Sequence, residues 1–321
     1  MELELDERGL FLVQDPALRS MIMPLFAIDK RDLSERPEGR GTTFRINPWG
    51  ACATAYHVIE ELLEARDGKA ALRENVRLVA LELEGIPYGA PVVKPEQWRT
   101  FEEMFTICGV RSEFGQAPEL RNVTELASLQ IARSSVAAGP ALHLGLDLRR
   151  WRPTIGDQVS AFGFADLDVG AEAEKNDKLR PISQYLYGSS AMITDVEPAD
   201  AGRGRPWPFF RVDRDWPGGM SGGPVVNKEG HVIGVVSTGM TFAATGSAVF
   251  FSGSGLAETL FPMVDPGSPG QIFCWGGFDK DDNVAMIAPT REALMAMEGA
   301  SDLKEVGRMS FNSRTGDYIC V

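Results

Sequence analysis

The chain has 321 residues, 44% of them hydrophobic and 24% charged, so it can bury one large or two modest cores. Its 45 acidic residues outnumber its 32 basic ones, which gives a net charge of −13. This excess argues against anionic partners. Nucleic acid is bound through Lys and Arg on its phosphates, and an anionic membrane surface attracts the same cationic residues.

The N-terminal residues lack the pattern of a secretory signal, which would need a basic start and an unbroken apolar core. The chain begins with the acidic stretch "MELELDERGL", and the apolar run "MIMPLFAI" contains a proline. The four cysteines are scattered without the paired spacing of metal sites: Cys52, Cys108, Cys274 and Cys320. We therefore expect a cytoplasmic protein with unpaired thiols.

Short apolar runs rich in Val, Ile, Phe and Leu recur between Gly, Pro and Asp residues and predict many short strands. In chain order they are "GTTFRINPWGACATAY", "VRLVALELEG", "ELASLQIA", "DQVSAFGFA", "SAMITDV", "PFFRVD", "PVVN", "HVIGVVS" and "AVFFSG". Helical periodicity is confined to Val58–Arg66 and Thr290–Val306. The pattern predicts an all-β fold with short peripheral helices.

A cluster of glycines surrounds Ser221 in "GGMSGGPVV". The stretch matches G-x-S-x-G, the nucleophile elbow of α/β-hydrolases, which lies between a strand and a helix and precedes the acid and the histidine. Here "PVVNKEGHVIGVV" follows, which reads as strand, turn and strand, and the only later histidine is His231. The context therefore argues against an elbow.

A serine nucleophile needs a base within hydrogen-bond distance and an acid that orients the base. The chain offers three histidines: His57, His143 and His231. His57 follows a predicted strand–turn–strand in "GTTFRINPWGACATAYHV" and opens a short helix. This context favours His57 as the base.

Four segments in order resemble trypsin-like (chymotrypsin-fold) serine peptidases of bacterial type. "ATAYHV" is similar to their T-A-x-H signature, and "GGMSGGPVV" to their G-x-S-G-G-P. "RPTIGDQVSAFGFA" resembles a G-D-x-V-x-x-x-G strand of the second barrel, and "GVVSTG" resembles the strand that lines the primary pocket. Ordered motifs are more specific than any single one.

The resemblance covers about residues 38–262 and implies two antiparallel six-stranded β-barrels with a C-terminal extension. It divides the chain into an N-terminal segment at 1–37, a first barrel at 38–135, a second barrel at 136–262 and the extension at 263–321. No motif indicates the role of the extension. Packing on the second barrel, binding a partner and obstructing the cleft all stay open.

The resemblance also implies the acid. The family pattern D-[IL]-A-L-L matches "NVTELASLQIA", which puts Glu125 where aspartate is usual. A glutamate carboxylate accepts the same imidazole N–H. Because its side chain is one methylene longer, either the backbone steps back or the side chain folds.

By the same resemblance, the backbone N–H groups of Gly219 and Ser221 would form the oxyanion hole. Asp215 lies six residues before Ser221, where trypsin-type enzymes place a pocket-floor aspartate that selects Arg or Lys. The alternative for Asp215 is a solvated loop charge. Ser237, Thr238 and Gly239 would offer main-chain groups to an extended substrate.

These residues predict a serine endopeptidase that acts on protein or peptide substrates through a Ser-His-acid triad and an acyl-enzyme. The resemblance implies no metal and no cofactor. Met220 replaces the aspartate that pairs with a new N-terminus in activatable animal relatives, so we expect narrow specificity or an activating protein partner as the restraint. The alternative is an inactive binding protein on the same fold, favoured by Glu125 and Met220 and opposed by the intact His57 and Ser221.

Overall fold

The structure is a computed structural model that is dominated by strands. It describes residues 4–33, 36–67, 69–88, 95–111, 119–132, 141–148, 153–165, 167, 184–199, 206–237, 245–251, 274–312 and 317–320. No helix among these residues is long and apolar enough to cross a membrane.

The strands are short and follow one another closely along the chain. They are β1 (Phe11–Leu12), β2 (Ile22–Asp29), β3 (Glu38–Arg45), β4 (Ala51–Ala55), β5 (Leu63–Arg66), β6 (Lys69–Leu72), β7 (Val76–Leu81), β8 (Trp98–Phe105), β9 (Cys108–Arg111), β10 (Glu119–Asn122), β11 (Leu126–Ile131), β12 (Leu146–Asp147), β13 (Gln158–Gly163), β14 (Tyr187–Glu197), β15 (Phe209–Val212), β16 (Pro224–Val226), β17 (Val232–Ser237), β18 (Ser247–Phe250), β19 (Cys274–Phe278), β20 (Val284–Ala288), β21 (Glu305–Asn312) and β22 (Asp317–Cys320). The α-helices are α1 (Pro16–Met21), α2 (His57–Glu60) and α3 (Arg291–Met295), with 3-10 turns at Pro95–Gln97 and Ala300–Asp302.

Both predicted helices are shorter than the sequence suggested. The one expected over Val58–Arg66 ends as α2 at Glu60, and the next residues form β5, which pairs with β6. The one expected over Thr290–Val306 becomes α3, a 3-10 turn and the start of β21, with Gly299 at φ +76 between the two helical pieces. In both places strand pairing outweighs local helix propensity.

The first barrel is closed by six antiparallel strands in the order β11-β4-β3-β2-β7-β8, with β8 paired back onto β11. Its centre is filled by fully buried apolar side chains that include Phe26, Phe44 and Ile22. Because β2 is one of its strands, the barrel begins at Ile22 and not at residue 38, where the sequence suggested the boundary.

The second barrel has the strand order β16-β13-β14-β15-β18-β17, and pairing between β16 and β17 closes it. The alternating apolar residues of these strands point into a separate core that contains Val159, Ile193, Phe210 and Ile233. Strand β1 pairs with β14, so residues near the N-terminus also join this barrel. The chymotrypsin-like arrangement of two six-stranded antiparallel barrels is confirmed.

The C-terminal extension continues the sheet of the second barrel. Strands β19 to β22 are antiparallel; β20 pairs with β12, and β12 runs parallel to β17 at Val232. Its residues Cys274, Ile287 and Met309 pack on Trp49, which lies in the β3–β4 turn of the first barrel. His57 follows the other end of β4, roughly 13 Å of strand away. The described part of the extension therefore contacts both barrels at the end away from His57.

Candidate active site

His57 is held where β4 ends and α2 begins. The N–H of Tyr56 donates to the carbonyl of Glu125 at 3.0 Å, which continues the pairing of Ala55 with Leu126 by one residue. This register brings Glu125, which precedes β11, beside Tyr56, which follows β4. His57 and Glu125 are therefore neighbours although they lie 68 positions apart.

The imidazole of His57 faces the carboxylate of Glu125. Nδ1 of His57 lies 2.5 Å from Oε1 of Glu125, whose residue is only 4% exposed. An ionised carboxylate only accepts hydrogen bonds, so Nδ1 carries the proton and Nε2 keeps its lone pair. This tautomer is the one that a general base needs.

Ser237 contributes the second hydrogen bond to this carboxylate. Its hydroxyl donates to Oε1 of Glu125 at 2.8 Å, and its own carbonyl accepts from the hydroxyl of Ser247 at 2.8 Å. The sequence suggested a substrate-facing main chain at Ser237 and did not indicate this side-chain contact. Thr238 and Gly239, predicted to share that role, lie outside the described residues.

Ser221 lies on a loop of the second barrel that is docked onto the first. The N–H of Thr42, in β3, donates to the carbonyl of Ser221 at 2.8 Å, and the Thr42 hydroxyl donates to the carbonyl of Gly219 at 2.8 Å. On the other side, the N–H of Gly222 donates to the carbonyl of Val236 at 2.8 Å. The loop therefore bridges the barrels and faces the end of β4 that carries His57.

The backbone of the loop suits an oxyanion hole. Gly219 has φ +91, and a Cβ there would lie 2.3 Å from the carbonyl oxygen of Phe164, so only glycine fits. Among the described residues, the N–H groups of Gly219 and Ser221 donate to no acceptor. Met220, between them, is fully buried in the core of the second barrel and anchors the loop.

The hydrogen bond expected between the imidazole of His57 and the hydroxyl of Ser221 is not made. Nε2 of His57 is buried and has no hydrogen-bond partner, and the Ser221 hydroxyl makes no hydrogen bond within the described part of the chain. Hydrogen bonds between base and nucleophile are often long without substrate and tighten when it binds. The structure thus joins acid to base, and no hydrogen bond joins His57 to Ser221 within the described residues.

Two titratable groups near His57 and Glu125 have raised pKa values. Partial burial and the nearby Glu125 carboxylate raise the pKa of Glu60, which lies one helical turn after His57. Burial and a hydrogen bond with Cys108 raise the pKa of Tyr56. Both groups therefore stay protonated to higher pH than they do in water.

The pocket role suggested for Asp215 differs from the structure. Asp215 is exposed, so it does not form the floor of a buried pocket that would select Arg or Lys. A solvated carboxylate is screened by water and discriminates weakly. His143, which the sequence offered as another histidine, is 3% exposed and lies in the segment between the barrels, where its Nδ1 donates to the Leu144 carbonyl at 3.0 Å. Within the described residues, no group of His, Cys, Asp and Glu is arranged to hold a metal ion.

Comparison with known proteins gives one family match over much of the chain. A family model described as a trypsin-like peptidase domain matches residues 41–235, more than half of the chain. No curated protein matches the sequence. Among solved structures, the one described as the crystal structure of Deg5 is 16% identical, with a TM-score of 0.44, and the alignment covers 72% of this chain and 84% of that chain.

Proposed function

The chain belongs to the family of trypsin-like peptidases, serine endopeptidases, and from that premise we propose that Ser221, His57 and Glu125 form its catalytic triad. The observation that carries the proposal is the 2.5 Å contact between Nδ1 of His57 and Oε1 of Glu125 beside the docked Ser221 loop. It supplies an oriented base with a free Nε2, and the residue after Ser221 lies against Thr54 and Ala55, at the end of β4 that precedes His57.

In the proposed reaction, Nε2 of His57 takes the proton of Ser221 as Oγ attacks the carbonyl carbon of the peptide bond. The N–H groups of Gly219 and Ser221 donate to the oxygen that becomes negative. The imidazolium then protonates the leaving amine, the C–N bond breaks and an acyl-enzyme forms. Water, deprotonated by the same Nε2, hydrolyses the ester and restores Ser221. Glu125 stays ionised and stabilises the imidazolium.

We also propose that the isolated chain has narrow specificity or waits for a protein partner. The unmade bond between Nε2 of His57 and Ser221 supports this proposal, because substrate or partner binding would complete it. The buried Met220 supports it as well, since no carboxylate stands there to pair with a newly cut N-terminus.

The test is digestion of a peptide library and of unfolded casein by the wild type and by Ser221→Ala, with products identified by mass spectrometry. We expect a small set of cleaved peptides with the wild type and none with Ser221→Ala. Equal cleavage by both proteins would contradict the assignment of Ser221. Extensive digestion of casein by the isolated wild type would contradict narrow specificity and partner control.

A further inference from the structure

Asn122 closes the turn that leads into Glu125. Its side chain is buried, at 6% exposure, and its Oδ1 accepts from the N–H of Thr124 at 3.0 Å and from the N–H of Glu125 at 2.5 Å. Its Nδ2 donates to the Thr106 hydroxyl at 2.8 Å and to the Ile107 carbonyl at 3.2 Å. Donors lie on one side of the amide and acceptors on the other, which fixes its orientation.

The turn holds Glu125 in an unusual backbone conformation. Glu125 has φ +58, in the left-handed region that residues with a side chain rarely adopt. Two contacts hold it there: its N–H donates to Asn122, and its carbonyl accepts from Tyr56. Residues in this region persist only where their surroundings over-determine the conformation, and they cluster at functional sites.

This backbone conformation explains how a glutamate, one methylene longer than the usual aspartate, fits beside His57. Because the glutamate side chain is longer than that of aspartate, the backbone conformation helps to set where its carboxylate ends. Here the chain turns at Glu125 before β11 begins at Leu126, and Oε1 ends 2.5 Å from Nδ1 of His57 and 2.8 Å from the Ser237 hydroxyl. Resting on the proposed triad, we infer that Asn122 is a positioning residue that makes glutamate a working acid in this site.

The experiment measures the second-order rate at which a fluorescent fluorophosphonate labels the wild type, Asn122→Ala and a matched control. The control is Asn47→Ala. Asn47 is also buried, at 2% exposure, and its Oδ1 accepts from the N–H of Trp49 at 2.9 Å and of Ala51 at 3.1 Å. It closes a similar turn at the far end of β4, so its loss reports the general effect of opening a turn.

We expect labelling of Asn122→Ala to be about 10- to 100-fold slower than that of the wild type, because a displacement of about 1 Å at a catalytic group has this effect. Asn47→Ala is expected to label within about 3-fold of the wild type. In a Glu125→Gln background, the further loss from Asn122→Ala should shrink to less than about 3-fold, since Asn122 acts through the carboxylate. Wild-type labelling by Asn122→Ala, or the same loss in both backgrounds, would overturn the inference.

A second readout separates this inference from the proposed function. The proton on Nδ1 of His57, hydrogen-bonded to a carboxylate, gives a far-downfield resonance in proton NMR whether or not Ser221 reacts. We expect that resonance in the wild type and in Asn47→Ala, and its loss in Asn122→Ala. If no variant is labelled, the proposed function fails, and the resonance still decides the role of Asn122; its retention in Asn122→Ala overturns that role. Should Asn122→Ala not fold, Asn122→Ser keeps a weaker acceptor for the same N–H groups and serves for both comparisons.

Discussion

Replacing Gly222 with alanine should displace the Ser221 loop from the first barrel. A Cβ at Gly222 would lie 2.2 Å from the Thr42 carbonyl oxygen and 2.2 Å from the Thr54 hydroxyl oxygen, in strands β3 and β4. Normal van der Waals contact requires a separation greater by about 1 Å. A shift of that size at the nucleophile slows the reaction by about 100-fold.

Gly230 provides a control with the same backbone strain and no clash. Gly222 has φ +86 and Gly230 has φ +85, but a Cβ at Gly230, in the β16–β17 turn, meets nothing within 4 Å. Alanine in this region costs about 1–2 kcal/mol at either position. At Gly222 the overpacking adds about 1–3 kcal/mol more. The difference between the two variants therefore isolates the contact between loop and barrel.

The assay combines urea unfolding with the labelling rate of each folded variant by a fluorophosphonate. We expect Gly230→Ala to lose about 1–2 kcal/mol of stability and to label like the wild type. Gly222→Ala should lose about 2–5 kcal/mol and label about 100-fold more slowly. Equal stability and equal labelling in the two variants would refute the claim that docking on β3 and β4 positions Ser221.

Three further predictions concern the triad acid, a buried histidine and the contact between the first barrel and the extension. Glu125→Gln should lower the fluorophosphonate labelling rate by about 10³- to 10⁴-fold, because a neutral amide no longer stabilises the imidazolium; an unchanged rate would remove Glu125 from the mechanism. Burial lowers the pKa of His143 from 6.5 to about 4. The unfolded chain therefore binds more protons at His143 between those values, so the contribution of His143 to stability in urea should be constant above pH 6.5 and fall by about 3 kcal/mol towards pH 4. His143→Phe should flatten this part of the profile, and an unaltered profile would contradict the assignment. Trp49→Ala should lower stability by about 3–5 kcal/mol, since Trp49 joins the first barrel to the extension, and should leave the labelling rate of the folded protein unchanged; a slower rate would contradict the separation of extension and site.

The two barrels were predicted through the family resemblance, and the strand order confirms them. Histidine after a strand and serine among glycines carry their context within a few residues, so His57 and Ser221 could be proposed as base and nucleophile without long-range information. Glu125 was predicted through its alignment with a family pattern, and its contact with His57 now has a geometric basis in the pairing of Ala55 with Leu126.

Features that depend on tertiary contacts could not be read from the sequence. The hydroxyl of Ser237 reaches Glu125 because β17 of one barrel contacts β4 of the other, and Glu125 lies beside the end of β4. Asn122 looks like an ordinary turn residue until its partners Thr106 and Ile107 are known. The spacing of Asp215 from Ser221 matched a family position, but spacing does not fix side-chain direction, and the carboxylate faces solvent.

The position of the C-terminal extension also depends on tertiary contacts that the sequence does not reveal. Its strands reach the second barrel through the two-residue strand β12, a pairing between residues about 140 positions apart that no local pattern encodes. Of the three roles considered for the extension (packing on the second barrel, binding a partner and obstructing the cleft), its described strands favour packing on the second barrel. Its described strands continue the sheet of the second barrel and contact Trp49 at the end of the first barrel away from His57.

Intact-mass spectrometry after incubation with a fluorophosphonate tests whether Ser221 is a nucleophile activated by His57. We expect one adduct on the wild type, located on Ser221 by peptide mapping, and no adduct on Ser221→Ala. An adduct at another residue, or equal labelling of the wild type and Ser221→Ala, would contradict this role of Ser221.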